Sequence, residues 1–370
     1  MPVHVYLAHV YLDANATEPL RLEARAAALA ALDLTGNPAS VHGFGRAARA
    51  MLEGARETIA ARFGTRPADL VFTSGGTEAN ALAISGLGAG RRRIASAIEH
   101  AAVREAAPDA TILPVDRQGV ADLARLAALL AEGPPAFVAL MLANNETGVI
   151  QPVAEAASLC RRFGAHLHVD AVQAAGRMPC DRAALGADSL ALSGHKLGGP
   201  AGAGALLLAP EAAARLAPLI IGGGQERGRR GGTPPLPAIA GLAAAATATA
   251  GTIDLAPLRD AAEAAAIEAG AIVCGAGAGR LPNTTCLALP GVKAEIQVIA
   301  LDLAGIAVSA GAACSSGKIA RSHVLAAMGL GDLAGQAIRV SLPWNATEAD
   351  ITAFARAYQD MAARLCRHAA

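Results

Sequence analysis

The sequence predicts an α/β fold in which a mostly parallel sheet carries helices on both faces, with a smaller α+β domain at the C-terminal end. Two observations indicate the large sheet. Short apolar runs alternate with Ala-rich helical stretches through the first two-thirds of the chain, and chemically distinctive residues recur where those runs end. A third observation, a Gly/Pro-rich passage at 221–237, marks the point where the alternation stops.

Six apolar runs are typical of strands, and a helix is predicted from about residue 77, after the first of them. Because ligands of such sheets bind beyond the carboxyl ends of the strands, we expect the functional residues to follow these runs. The runs are LVFTS (70–74), RRIASAI (92–98), ATILPV (110–115), AFVALMLA (136–143), AHLHVDA (165–171) and SLALSG (189–194).

The second domain is predicted from a change in the order of elements. A long Ala-rich helix follows the Gly/Pro-rich passage. Beyond about residue 250 come a helix, a strand-like run at 284–291, a helix from about residue 294 and the segment 305–317. We expect residues 16–250 to form the large domain, and residues 1–15 together with 251–370 to form the small one.

Composition and charge exclude several classes of protein. Lys+Arg and Asp+Glu both number 31, so the net charge is zero, which argues against a nucleic-acid partner. No apolar run reaches the ~18–20 residues of a membrane span, and the N-terminus lacks the pattern of a signal peptide. The six cysteines show no paired spacing of the zinc or redox type, so we expect no metal site and a reducing compartment. A cytoplasmic protein is predicted.

Lys196 is the first candidate for chemistry. It is one of three lysines in a chain whose other basic residues are all arginine, and only lysine can lose its proton and act as an amine nucleophile. It follows the SLALSG run, and the glycines after it would let the backbone pass close to a ligand. The alternative is a surface lysine in a turn.

A phosphate site is indicated at FTSGGTEAN (72–80). There a strand runs into Ser-Gly-Gly-Thr and then a helix, so backbone N–H groups and the Thr77 hydroxyl converge on one point. The stretch lacks the Gly-Lys-Ser/Thr ending of a P-loop and the spacing of a dinucleotide motif, so a nucleotide is not indicated. A simple helix N-cap at Thr77 or Ser74 is the alternative.

Asp170 lies at the end of the run at 165–171, where a carboxylate is costly unless it meets a cation. A pyridinium nitrogen would be such a cation, and pairing of this kind tunes pyridoxal phosphate. His166 and His168 share a face of the same run, so a metal pair is conceivable. Because no third ligand is near in sequence, ordinary strand histidines are the preferred interpretation.

A phosphate cradle, an Asp and a Lys follow one another in the order found in fold-type I pyridoxal-phosphate enzymes. Among these, the chain closely resembles the cysteine desulfurases of the class V aminotransferase family, from about residue 11 to 355. The matching stretches include YLDANATEP (11–19), GNPASVHGFGRAAR (36–49), FTSGGTEANALAI (72–84), IEHAAV (98–103), NNETGVIQP (144–152), HVDAVQAAG (168–176), SGHKLGGPAGAGAL (193–206), GGGQERGRRGGTP (222–234), SAGAACSSG (309–317), SHVLAAMGL (322–330) and IRVSL (338–342).

The resemblance implies the cofactor, pyridoxal 5'-phosphate, and the residues that hold it. Lys196 would bind it covalently and later act as the base at Cα of the substrate, with His100 stacked on the ring and assisting proton transfer. Asp170 would pair with the pyridine nitrogen, and Gln173 would hydrogen-bond the ring oxygen. The phosphate would be held by Gly76, Thr77, Ser193 and His195.

The resemblance also implies a second subunit and a substrate site. Thr233 would reach the phosphate of the neighbouring subunit, which makes the protein a homodimer. Asn145 would contact the bound amino acid and cofactor, and Arg339 would clamp the carboxylate of the amino acid. The stretch LPWN (342–345) departs from the family pattern at the rim of the substrate pocket.

Cys314 is the candidate nucleophilic thiol, and the reaction that we expect depends on it. It lies among small residues, whereas structural cysteines prefer apolar surroundings and a nucleophilic thiol needs exposure and room to move; the other five cysteines are interpreted as bystanders. The resemblance implies that Cys314 takes the sulfur of L-cysteine as a persulfide and leaves L-alanine. It also implies an acceptor protein, such as an iron–sulfur scaffold or a sulfur carrier, that uses this sulfur for iron–sulfur clusters, cofactors or tRNA.

Other functions remain open on the sequence. A selenocysteine lyase, a related pyridoxal-phosphate-dependent C–S lyase or a desulfurase dedicated to tRNA or cofactor sulfuration would carry similar motifs. A non-catalytic sulfur-relay partner could keep the fold. Against this last alternative, Lys196, Asp170, His100 and Cys314 are all present, and a protein without catalysis has no need of all four.

Overall fold

The computed structural model describes residues 10–249, 254–311 and 321–367. The strands are β1 (Val10–Tyr11), β2 (Leu70–Thr73), β3 (Arg92–Ser96), β4 (Thr111–Leu113), β5 (Ala136–Ala139), β6 (His166–Asp170), β7 (Ser189–Ser193), β8 (Gly204–Leu208), β9 (Ile272–Val273), β10 (Thr284–Ala288), β11 (Ile306–Ala307), β12 (Ser309–Ala310) and β13 (Ala337–Ser341). The helices are α1 (Leu22–Leu32), α2 (Gly43–Arg62), α3 (Gly76–Leu87), α4 (Ala101–Arg104), α5 (Leu123–Ala131), α6 (Val153–Arg162), α7 (Pro210–Arg215), α8 (Leu236–Ala248), α9 (Ala256–Glu268), α10 (Ala294–Leu303), α11 (His323–Ala327) and α12 (Glu348–Arg367).

Seven strands form the large sheet, in the order β2-β8-β7-β6-β5-β3-β4. The predicted α/β fold with a mostly parallel sheet is confirmed, and each of the six predicted runs contains one strand. The strand β8 was not predicted. It pairs antiparallel with both β2 and β7, so it reverses direction inside an otherwise parallel sheet. Its five residues are all buried, and a short apolar run gives no periodicity by which a strand can be told from a buried helix.

Helices cover both faces of this sheet. On one face α1, α2, α5, α6 and α8 bury a continuous apolar core, and on the other α3 and α7 bury a second one. Helix α8 packs against both α1 and α2. Alanine on the facing sides of these helices lets their backbones approach closely, which explains how a chain with 3% aromatic residues fills its core.

A smaller antiparallel sheet, in the order β12-β13-β10-β9, lies in the C-terminal part of the chain. Its apolar core includes Phe354 and Tyr358 of α12, and it also takes in Leu12 from the beginning of the described chain. The strand β1 pairs in parallel with β11. The N-terminal segment therefore packs with residues that lie some 300 positions further along the sequence.

A buried ion pair fastens the Gly/Pro-rich passage to the large sheet. The guanidinium of Arg56 donates two hydrogen bonds of 2.8 Å to the Glu226 carboxylate, and both side chains are almost fully buried. The N–H of Phe72 donates to the same carboxylate. Glu226 and Arg227 take positive φ values of 49° and 59°, so this buried pair holds a backbone conformation that L residues rarely adopt.

In the described ranges, no helix is both long enough and apolar enough to cross a membrane.

Candidate active site

A cavity of about 520 Å³ opens at the carboxyl ends of β5, β6 and β7, where ligands bind in sheets of this kind. Strand ends and the start of α3 supply most of its walls. The cavity brings together nine of the residues singled out in the sequence, namely Gly76, Thr77, His100, Asn145, Asp170, Gln173, Ser193, His195 and Lys196.

Lys196 ends a short 3-10 turn directly after β7. Its Nζ donates hydrogen bonds to the carbonyl oxygens of Asn15, at 2.5 Å, and Ala16, at 2.8 Å. The Asn15 carbonyl also accepts a hydrogen bond from Nε2 of Gln173. The amine is therefore held at the floor of the cavity by backbone groups from the N-terminal segment.

Asp170, at the end of β6, is buried and firmly oriented. Its carboxylate accepts hydrogen bonds from Nδ2 of Asn80 at 2.7 Å and from the N–H of Val172 at 3.0 Å. Asn80 Oδ1 in turn lies 2.9 Å from Nε2 of His168, whose Nδ1 contacts the Ser189 hydroxyl. Burial lowers the pKa of His168 to about 3, so this imidazole is neutral and donates to Asn80 rather than bringing a competing positive charge.

The two strand histidines lie on one face, as their spacing predicts. Both rings stack on Phe137, with centroids 5.8 and 6.0 Å away. Nδ1 of His166 lies 3.9 Å from the Asp188 carboxylate, and His168 belongs to the Asp170 chain of hydrogen bonds. Within the described ranges, no three His, Cys, Asp or Glu side chains come together in a way that could hold a metal ion.

The opposite end of the cavity is shaped for an anion. Helix α3 begins at Gly76, so its first N–H groups and the side chain of Thr77 line the cavity. A Cβ at Gly76 would come within 2.6 Å of Val172, which explains why glycine is needed there. Ser193 and His195 complete this end. Burial, and secondarily the charge of Lys196, lowers the pKa of His195 to about 4.

His100 caps α4, and its Nδ1 accepts a hydrogen bond from the N–H of Ala102. That bond leaves Nδ1 unprotonated and assigns the ring proton to Nε2. The neighbouring Glu99 is fully buried, and its Oε1 accepts from the N–H of Met141, a residue of the cavity wall. Burial raises the pKa of Glu99 to about 8, and the charge of Asp170 adds to this effect.

Arg339 lies beside the cavity and does not line it. Its Nη1 donates to the carbonyl oxygen of Asn145, and its Nη2 donates to the Asp13 carboxylate at 2.7 Å. Within the described chain, its Nε and the Oδ1 of Asn145 are buried without a hydrogen-bond partner. Both unpaired atoms therefore remain available to a ligand at this edge of the cavity.

Two other predicted residues lie apart. Thr233 is exposed and lies outside the lining of this cavity. Cys314 lies outside the described residues. Four of the remaining cysteines, Cys160, Cys180, Cys274 and Cys286, are buried, and burial raises the pKa values of Cys160 and Cys180 to about 12. Thiols with such pKa values are poor nucleophiles, in keeping with their interpretation as bystanders.

Pyridoxal phosphate fits the residues of this cavity. The α3 N-terminus offers N–H donors to a phosphate, and Asp170 offers an oriented carboxylate to a ring nitrogen. The volume of about 520 Å³ lies in the range usual for small-molecule sites. Lys196 lines the same cavity.

Several functional residues were missed by the sequence reasoning. Asn80 was quoted within the glycine motif but given no role, although it orients Asp170. Glu146 is buried, and burial raises its pKa; its carboxylate accepts a 2.5 Å hydrogen bond from the Ser322 hydroxyl. Asp13 and Asn15 lie in a motif that was quoted, but their partners are more than a hundred positions away, so no local pattern identifies them.

Known proteins resemble this chain over most of its length. The family model for class-V aminotransferases matches residues 10–354. A cysteine desulfurase of Cereibacter sphaeroides is 42% identical over 363 residues, which cover 92% of each protein.

Solved structures are also similar. The NifS-like protein of Rickettsia africae has a TM-score of 0.87 and 35% identity, covering 95% of this chain and 99% of the other. SspA, solved in complex with cysteine, has a TM-score of 0.81 and 29% identity, covering 90% of this chain and 99% of that one.

We predict that Glu99→Gln makes the protein less sensitive to pH. Between its ordinary pKa of 4.5 and about 8, the folded protein keeps the Glu99 proton that the unfolded chain loses, so stability falls as pH rises through this window. As pH rises from 4.5 to about 8, the free energy of unfolding should fall for the wild type but not for Glu99→Gln. The difference between the two proteins should therefore grow by a few kcal/mol, since each pKa unit is worth about 1.4 kcal/mol. Urea denaturation at several pH values measures this gain. The exposed Glu105→Gln is the control, and a difference for Glu99→Gln that does not change with pH would contradict the prediction.

Proposed function

This chain belongs to the class-V aminotransferase family, and we propose on that premise that it is a pyridoxal-phosphate-dependent cysteine desulfurase. L-cysteine is its substrate, and L-alanine and an enzyme-bound persulfide are its products. The observation that carries the proposal is that one cavity is lined by Lys196, by Asp170 and by Gly76 and Thr77 at the start of α3.

Pyridoxal phosphate supplies an electron sink that makes the Cβ–Sγ bond of cysteine breakable. The amine of Lys196 would hold the cofactor and would then accept the proton from Cα of the substrate. Asp170, oriented by Asn80 and the Val172 N–H, would pair with the pyridine nitrogen. His100 would stack on the ring and assist proton transfer through Nε2, and Gln173 would contact the ring oxygen. Gly76, Thr77, Ser193 and His195 bind the phosphate.

The substrate carboxylate binds at the edge formed by Asn145 and Arg339. Arg339 is held from behind by the Asp13 carboxylate and the Asn145 carbonyl, and its Nε has no partner among the described residues. A planar guanidinium fixed in this way keeps donors for a bidentate contact with the carboxylate of cysteine. The α-amino group and Cα of the substrate are thereby brought toward Lys196.

Cys314 is the sulfur acceptor within the enzyme. Its thiolate attacks Sγ of the substrate, an S–S bond forms, and the Cβ–Sγ bond breaks with its electron pair passing to the substrate carbon side. Protonation there gives alanine, so one cysteine and one enzyme thiol become one alanine and one persulfide. Burial raises the pKa values of Cys160 and Cys180 to about 12, so these two thiols are poor competitors of Cys314. A hydrogen bond with Cys286 lowers the pKa of Cys274, but Cys274 is buried.

The active form of the protein is a homodimer, and it delivers sulfur to an acceptor protein in the cytoplasm. Support for the dimer comes from exposed apolar side chains next to the Gly-rich passage, at Leu219, Ile220 and Ile221, of which Ile221 is 84% exposed. Thr233 follows this apolar surface in the chain, is itself exposed and reaches the phosphate bound by the partner subunit. An iron–sulfur scaffold or a sulfur carrier is the class of acceptor that suits a protein-bound persulfide.

Two domains carry this site, residues 16–250 and residues 1–15 with 251–370. Separate apolar cores, one around the large sheet and one around the small antiparallel sheet, support this division. Leu12 belongs to the second core, which is why the first fifteen residues are assigned to the small domain.

Replacing Lys196 by Ala should abolish covalent cofactor binding. The purified wild type should show an absorbance band near 420 nm that the variant lacks, because no other described lysine lines the cavity. Lys293→Ala is the matched control, since Lys293 is exposed at the start of α10, and it should keep the band. A colourless wild-type protein would instead favour a non-catalytic partner.

Replacing Cys314 by Ser should keep the cofactor band and stop sulfide release from L-cysteine. The wild type, exposed briefly to L-cysteine without reductant, should gain about 32 Da on Cys314 and release alanine, as expected of a persulfide. Mass spectrometry of the intact protein and its peptides measures the gain. Cys366→Ser serves as the control, and sulfide release by Cys314→Ser at the wild-type rate would refute the role of this thiol.

Replacing Ile221 by Arg should convert the dimer into a monomer, because a charge in an apolar interface loses its hydration without gaining a partner. Light scattering after gel filtration measures the mass. Leu303→Arg is the control: Leu303 is 78% exposed at the end of α10, away from this surface. A monomeric wild type, or a dimer that survives Ile221→Arg, would count against the proposed interface.

A further inference from the structure

A second cavity, of about 230 Å³, lies on the other side of Lys196 from the cofactor cavity. Among the residues that the structure describes, Lys196 alone lines both cavities, so the two spaces share one residue of their walls. Residues of the N-terminal segment, of the turn after β6 and of the chain after β13 enclose it. None of the roles proposed above uses this space.

The charges around this cavity do not balance. Three charged side chains line it besides Lys196, namely Glu18, Arg21 and Arg177, and each is buried to nine-tenths or more. The carboxylate of Glu18 is already engaged, because it accepts from Nη2 of Arg177 at 3.0 Å and from the N–H of Trp344 at 2.8 Å. Arg177 also donates from Nη1 to Gln173 and from Nη2 to the Ala14 carbonyl.

Arg21 is the unbalanced charge. Its Nε donates to the Leu197 carbonyl, but within the described chain neither of its terminal nitrogens has a hydrogen-bond or ion-pair partner. Burial lowers the pKa of Arg21, and the negative charges of Glu18 and Glu23 partly offset this effect. A guanidinium that presents two free N–H groups to a cavity is suited to a carboxylate, which it can bind in a bidentate manner.

The rest of the wall is apolar. Leu197, Leu255, Leu342 and Pro282 line it, and the ring of Trp344 lies under the Arg21 guanidinium with 5.0 Å between the ring centroid and Cζ. The Glu18 carboxylate pairs with Arg177, and Nζ of Lys196 donates to the carbonyls of Asn15 and Ala16, so Arg21 is the cation that we assign to a ligand. One such cation at an apolar wall matches a ligand with one negative charge and an apolar body. A dianionic phosphate would leave part of its charge unpaired here.

We propose that this cavity is a binding site for a small organic monocarboxylate, whose carboxylate pairs with Arg21 and whose apolar group packs on Trp344 and the neighbouring leucines. The site lies outside the cofactor cavity and does not include the atoms that hold cysteine. Because Lys196 lines both cavities and the adjacent Leu197 lines this one, a ligand here contacts the turn that carries the cofactor-binding lysine.

The test is a titration of the holoenzyme with hexanoate, followed by calorimetry and by the fluorescence of Trp344, the only tryptophan of the chain. Hexanoate should bind saturably and change the emission of Trp344. Hexan-1-ol, which lacks the charge, and inorganic phosphate, which lacks the apolar body, should each bind at least about tenfold more weakly, as expected for loss of a charged hydrogen bond or of apolar contact.

Two variants and a control locate the bound probe. Arg21→Gln should weaken hexanoate binding about tenfold or more, whereas Arg25→Gln, exposed one turn further along α1, should not. Leu255→Phe fills the cavity while keeping Arg21, so it should also abolish hexanoate binding. This second variant keeps the test decisive if Arg21→Gln fails to fold.

Three results would overturn the proposal. Hexanoate binding that survives both Arg21→Gln and Leu255→Phe would exclude this cavity. Binding that is lost only in Arg339→Gln would place the probe in the cofactor cavity. Equal binding of inorganic phosphate would show an anion site of a different class. None of these results depends on desulfurase activity, so failure here is distinguishable from failure of the proposed function.

Discussion

Two backbone carbonyl groups, those of Asn15 and Ala16, hold the amine of Lys196, and the organisation of the active site follows from that contact. To bring them there, the N-terminal segment must pass between the large and the small sheet. Along the way Asp13 meets Arg339, the Asn15 side chain meets the Asn145 carbonyl, and Thr17 meets His195. One short extended segment thus sets the relative positions of the residues for cofactor, phosphate and substrate carboxylate.

Around this segment the protein controls charge by burial. Asp170 is oriented by hydrogen-bond donors, whereas burial raises the pKa of the neighbouring Glu99 to about 8 and lowers the pKa of His168 to about 3. At neutral pH, Glu99 and His168 therefore add no charge of their own beside the Asp170 carboxylate.

The features that could be predicted from the sequence are those that depend on residues close together in the chain. Six strands follow from buried apolar runs, and the cavity residues follow from positions directly after those runs. The strand β8 was missed because its five buried residues, a glycine followed by Ala and three Leu, show no alternation between polar and apolar side chains. The role of Asn15 was not predicted for another reason. Its backbone carbonyl accepts the hydrogen bond from Lys196, and every residue type has such a carbonyl. The contact between Arg21 and Trp344 could likewise not be predicted, because the two residues lie far apart in the sequence.

The backbone N–H of Asn15 donates to the Ser341 hydroxyl across 326 positions of sequence, which ties the assembly of the site to the order of synthesis. Asn15 leaves the ribosome 326 residues before Ser341. Until β13 emerges, the segment around Asn15 has no second sheet to lie against and cannot present its carbonyls to Lys196. A nascent chain can fold its large sheet early, because domains form as they are made, but it gains a complete catalytic centre only after β13 has been synthesised.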